Sequence, residues 1–254
     1  MVQLSFPLQA LPFDVLPKES LPLLFEAVTP AGSIYGYELE TLRRLVLELE
    51  KKPDGLLMTL LEHFYPQMIF EIPIIATSGN PQAKTVWTST LKGKTSIFFN
   101  LSGWRVDTLT RVGARALLQE AVLALFAPLL KKKDGDSALA EMEMMILSHG
   151  LSHFLAAGSQ RSQWLSEKSD EGPASEEKIN KTKLSLIHPD TDVQDASEIL
   201  EDGVTGDFWQ RYIAVAGMFR LDQVFQQSGA QGLIRCIEER QIRSAESLQI
   251  GPKS

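Results

Sequence analysis

The chain has 254 residues, 44% of them hydrophobic, a net charge of −7 at pH 7 and a pI near 5.2. That apolar content can bury a real core, as one large domain or two small ones. An acidic chain with no Lys/Arg stripe is a poor nucleic-acid binder, so no nucleic-acid partner is expected.

Residues 1–22 read as an extended arm punctuated by Pro7, Pro12 and Pro17. The arm lacks a basic n-region and its apolar residues are broken by the prolines, so neither a signal peptide nor a membrane span is expected there. Residues 35–50 place Leu39, Leu42, Leu45, Val46 and Leu49 at helical spacing and predict an amphipathic helix. Pro53-Asp54-Gly55 ends it, and a second helix, LLMTLLEHF, follows with His63 near its end. Residues 68–101 change to β character. TVWTSTLKGKTSIFFNLS predicts two strands in a hairpin around Lys92-Gly93-Lys94.

Asp107 then caps a long predicted helix to about Lys131. Its apolar run, ALLQEAVLALFAPLL, is broken by Gln119, Glu120 and Pro128 and is too short to cross a bilayer. A cytoplasmic protein is therefore expected. The basic run Lys131-Lys132-Lys133 suits the negative end of a helix dipole. After a turn, Ser137 caps ALAEMEMMILSHGLSHFLAAG and Gly158 closes it. Residues 159–207 are polar and charge-rich and predict a long surface excursion, anchored by Trp164 and Leu165. The last stretch predicts two helices separated at Ser228-Gly229. Cys236, the single cysteine, lies in the apolar-periodic GLIRCIEE and reads as a buried thiol without a disulfide. The expected organisation is an arm at 1–22, a helical and β-rich part at 23–106, and a helical part at 107–254 that contains the excursion.

His149 and His153 are the chemically suggestive pair. Residues i and i+4 share one helix face, so both imidazoles can address one ion. The spacing is that of H-E-x-x-H, but Gly150 stands where a zinc peptidase keeps its glutamate. Zinc also needs a further protein ligand, which the pair alone does not supply.

The order of parts resembles that of the gluzincin-type metallopeptidases. Four fragments carry the resemblance, over roughly residues 85–240: TVWTSTLKGKTSIFFN, ILSHGLSHFLAAG, WLSEKSDEGPA and RYIAVAGMFRLDQVFQQSGAQGLIRCIEE. It implies an α+β fold, predominantly helical with a small β-hairpin or sheet. It implies Zn2+ on His149, His153 and Glu171, with Glu167 the alternative third ligand, and Tyr212 as a catalytic donor steadying an oxyanion. Gly150 departs from the family pattern by removing the general base, which typically contributes about 10²–10⁴-fold; a small residue there also makes room for a ligand or a neighbouring helix, and the two readings stay open. The expected function is then a degenerate peptidase homologue that binds a peptide or protein segment without cutting it. The resemblance further implies that the segment pairs with an edge strand, TSIFFNLS, above the space left by Gly150.

Two rivals stay open. One is a metal-dependent hydrolase using Glu143 or Glu167 as a non-standard base. The other is a helical interaction protein in which the histidines only pack. In that reading Glu171 is solvated surface, Tyr212 a packed aromatic, and His63 and His188 serve a helix end and a loop.

Overall fold

The computed structural model describes residues 2–11, 36–78, 85–131, 137–188 and 190–242. The arm beyond residue 11, and Lys132 and Lys133 of the basic run, lie outside the described residues. The chain is α+β, mostly helix with a small sheet. It divides into two compact units, Met1–Ala124 and Leu125–Ser254.

The first unit is organised by interrupted strands. β1 (Gln3–Ser5) and β2 (Leu8–Ala10) lie parallel to β3 (Ile69–Glu71) and β4 (Ile74–Thr77) respectively. Pro7 and Pro73, which cannot donate to a ladder, stand in the gaps between the paired segments. Pairing resumes after each gap: Ile72 N–H donates to the Ser5 carbonyl at 3.1 Å and Ile74 N–H to that of Pro7 at 2.8 Å. Between the strand pairs run α1 (Gly36–Lys51) and α2 (Gly55–Phe64). They bury Leu42, Leu45 and Val46, and Leu57, Leu60 and Leu61, the positions marked by helical spacing. Asp54 caps α2 by accepting from Leu57 N–H at 2.9 Å.

The hairpin forms as expected, from β5 (Val86–Leu91) and β6 (Lys94–Asn100). Lys92 and Gly93 both take positive φ, 51° and 77°, the requirement of a two-residue turn matched to strand twist. The place of β6 differs from expectation. The sheet order is β2-β4-β6-β5, so TSIFFN is an interior strand, parallel to β4 on one side and antiparallel to β5 on the other. Every residue from Ser96 to Asn100 is buried. The near-continuous apolar run is the signature of a strand covered on both faces. No edge of β6 is left for an added peptide strand. The described part of the N-terminal arm lies beside β4 and not β6, because β2 pairs with β4.

Helix α3 (Val106–Phe126) starts at Val106, with Asp107 in its first turn, and stops short of Lys131. Pro128 lies just beyond, where a helix cannot continue.

The second unit is helical throughout the described residues: α4 (Ala138–Ala156), α5 (Arg161–Glu167), α6 (Glu171–Leu186), α7 (Val193–Asp202) and α8 (Tyr212–Glu239). Ser137 caps α4 as expected, accepting from Ala140 N–H at 3.2 Å. The stretch expected as an excursion, 159–207, instead supplies α5, α6 and α7. The reason is visible in α6, whose buried stripe is Gly172, Ser175, Ile179 and Thr182. The spacing is helical, but only one of the four residues is apolar, so hydrophobic periodicity hides it. Polar groups hold α6 in place. Arg220 on α8 donates two bonds of 2.7 Å to Glu176. Glu143 on α4 lies 3.6 Å from Arg220 and 2.7 Å from Lys183. The Glu176 hydrogen bonds hold the Arg220 guanidinium above the ordinary arginine range.

α8 is interrupted where two helices were expected to part. Gly229 adopts φ 57° and ψ −150°, a conformation essentially restricted to glycine. A Cβ there would meet nothing within 4 Å, so a substitution is strained by backbone conformation alone. Gly229→Ala is expected to lower stability by about 1–3 kcal/mol. A urea midpoint equal to wild type would show that the break is not needed.

Candidate functional site

On α4 the six residues from Gly150 to Leu155 are all buried. A helix segment covered all round is interior, unlike the one-sided helix of a cleft wall. The closest neighbour is α8. A Cβ built on Gly150 would stand 2.6 Å from both the Cα and the carbonyl carbon of Gly217. Reciprocally, a Cβ on Gly217 would collide with the Ile146 carbonyl oxygen and lie 2.7 Å from the Gly150 Cα. The two helices therefore meet backbone to backbone, and glycine at both positions is a steric necessity. The space expected beneath a bound peptide is filled by α8.

His153 is 1% exposed. Its ring stacks on Phe208 with centroids 4.3 Å apart, and its Nε2–H donates to the Phe208 carbonyl at 3.3 Å. Trp164 meets Phe208 edge-on at 6.0 Å, so the expected anchor residue does pin this part of the chain. His149, one turn earlier, is half-buried. A zinc-bound histidine commonly donates its second ring N–H to a carbonyl, so the Phe208 bond alone is compatible with a ligand role. The ligand set is the difficulty. Among the described residues no three His, Cys, Asp or Glu side chains are grouped to hold one ion. Neither Glu171 nor Glu167 joins the histidines in a threesome. Among the described residues, the side chains near the histidines do not supply the three or four protein ligands of a zinc centre.

The other candidates have structural work of their own. Glu171 is the first residue of α6, half-buried, where a carboxylate favours the helix dipole. Glu167 is exposed and accepts from Gln163 at 2.8 Å. Glu143 is committed to Lys183 and Arg220. Tyr212 is 8% exposed, packs with Met142, Ile146, Ile179 and Ile213, and shares a 2.9 Å hydrogen bond with Thr182. His63 lies in the last turn of α2, edge-on to Phe64 at 4.8 Å. His188 is exposed and 3.7 Å from Asp190.

Arg161 was not singled out by the sequence. It opens α5 with its guanidinium 3.9 Å from the Phe154 ring centroid and 4.8 Å from that of Phe225. Asp222 lies 3.6 Å away, so one half-buried cation ties α5 to both α4 and α8. Gly217 was also missed. The small-residue run IAVAG at 213–217 was the signal that a second helix approaches closely there.

No family model, no curated protein and no solved structure matches the chain.

The glycine crossing gives a sharp expectation. Gly150→Ala should lower stability by about 1–3 kcal/mol through overpacking. Gly150→Glu, which completes the peptidase motif, should lower it further and yield little folded protein. Wild-type urea midpoints for both variants would mean that α4 and α8 are not in backbone contact.

Proposed function

We propose that this chain is a non-catalytic binding protein whose histidine pair serves the helical core. The observation that carries this reading is the contact between Gly150 and Gly217. At the position where a peptidase keeps its base, the neighbouring atoms belong to another helix backbone. A site with no room for the base and, among the described residues, no third ligand has little means of activating water. The His153 ring is buried, stacked on Phe208 and bonded to its carbonyl, contacts that a packing role by itself accounts for. A peptidase-like ancestry is compatible with the element order, but the present function is to hold another molecule. A peptide or protein segment remains the expected partner. It would be taken at a surface other than β6, whose two sides are already paired.

Two measurements test this. Purified protein from zinc-supplemented growth should contain well under one zinc per chain by elemental analysis, and His149→Ala should not change that value. A broad peptide library should be cleaved no faster with the protein and added zinc than with buffer. Stoichiometric zinc that disappears in His149→Ala, or cleavage abolished by a chelator, would overturn the proposal.

A further inference from the structure

Apolar side chains exposed singly on a surface need no explanation. In the second unit they are not scattered. Among its described residues the large hydrophobic side chains left exposed are Leu184, at 67%, Ile187, at 58%, and Val193, at 88%. Leu184 lies in the last turn of α6, and Ile187, three residues on, is its C-cap, so the two side chains share one face. Val193 opens α7. The turn between them is folded back. Thr191 donates its hydroxyl to the Ser185 carbonyl at 2.7 Å and its N–H to the His188 carbonyl at 3.0 Å. Val193 stands two residues beyond Thr191, a reach of at most about 7 Å. The three side chains therefore sit at one corner, the α6–α7 junction.

The core does not call for them. The same stretch turns Leu186 and Leu200 inward, against Met142, Ile146, Ile179 and Ile213. Residues 184, 187 and 193 are additional to that packing and point the other way.

The corner has a negative border. From Leu184 to Asp202 the chain carries six carboxylates, Asp190, Asp192, Asp195, Glu198, Glu201 and Asp202, and no lysine or arginine. All six residues are exposed. Asp192 and Asp195 form the capping box of α7, and Asp190 lies 3.7 Å from His188. Among the described residues none of the six is paired with a lysine or arginine. Lys181 and Lys183, on the adjoining turn of α6, are taken by Glu177 and Glu143.

We propose that this corner is the docking surface for a basic amphipathic helix of a partner protein. Apolar residues of that helix, spaced three and four apart, cover Leu184, Ile187 and Val193, and its lysines and arginines meet the α7 carboxylates. A helix suits the corner better than an extended segment. The backbones of α6 and α7 are already bonded within their helices, so an extended segment would find no strand edge to join. Nucleic acid and anionic lipid are repelled by the same carboxylates. The proposal rests on the non-catalytic reading in one respect, that the partner is held and not cut.

The test uses the full chain and NMR titration with the synthetic peptide KLAKLAKKLAKLAK, whose leucines share one helix face. The amides of residues 184–202 should shift, with half-saturation below about 1 mM. The counterpart with glutamate in place of every lysine should bind at least about tenfold more weakly. Added salt should weaken the lysine peptide. Leu184→Ser and Ile187→Ser, both at exposed positions, should each weaken it about tenfold while leaving the thermal melt unchanged. Shifts confined to other residues, or no shifts, would overturn the corner as the site. Equal binding of the glutamate peptide would overturn the basic partner. A dimer in sedimentation that Leu184→Ser dissolves would replace the partner protein by a second copy of this chain. Binding to neutral phosphatidylcholine vesicles that Leu184→Ser abolishes, without binding of the peptide, would replace it by a lipid surface. Recovery of the peptide afterwards separates the two ideas: a cleaved peptide refutes the non-catalytic reading, whereas failure to bind refutes the docking surface.

Discussion

Where α4 crosses α8, neither helix presents a side chain. Gly150 and Gly217 let the two backbones touch, and the Gly217 Cα lies against the Ile146 carbonyl. Contacts of this Cα–H to oxygen kind are individually weak, worth perhaps 0.5–1 kcal/mol each. Their larger effect is geometric. Helices that approach this closely bring the residues on either side of the crossing into tight register, here Met142 and Ile146 against Ile213 and Ala216. α6 then lies against this pair through Gly172, whose missing side chain makes room for the ring of Phe219, and through Ile179 and the Glu176–Arg220 bridge. One close approach thus fixes the positions of three helices.

The same crossing bears on two meanings of one spacing. Histidines four residues apart share a helix face whether they hold a metal or pack in a core. What separates the meanings is the third dimension: a further carboxylate, an open position and room for a base. The histidines are adjacent by chain geometry, but the other requirements depend on elements distant in sequence. Glu143, Glu167, Glu171 and Tyr212 all have other partners or other surroundings, and each is explained by the element on which it sits.

Much of the fold was legible because its signals are local. Leucine spacing marks α1, Ser137 marks the start of α4, and Lys92-Gly93 between β-rich runs marks the hairpin. The break in α8 at Gly229 was legible for the same reason. Three things were not. α6 conceals its inner face behind glycine, serine and threonine, and is secured by ion pairs whose partners are distant in sequence. β6 reads as a hairpin arm, but its second neighbour, β4, is set by long-range pairing that a hairpin motif does not encode. Gly150 reads as a lost catalytic residue or as room for a ligand or a neighbouring helix, and the sequence does not say which until Gly217 is seen against it. In each case the missing information was the identity of a partner.

The parallel strand pairs of the first unit also constrain the order of events during synthesis. Gln3 pairs with Ile69 and Leu8 with Ile74, so the earliest strands must wait for partners made much later. Parallel pairing across α1 and α2 closes a long loop before any ladder bond rewards it, which slows folding. The β5–β6 turn closes locally and quickly by comparison. An assembly sequence follows in which hairpin and helices condense first and the β1–β2 segment is threaded alongside β3–β4 last. Until then the β4 flank is an unsatisfied strand edge made of Ile74, Ile75 and Ala76, open to pairing with another nascent chain. The window of greatest aggregation risk therefore lies late in folding, and its length is set by how fast a few residues around Pro7 find their place.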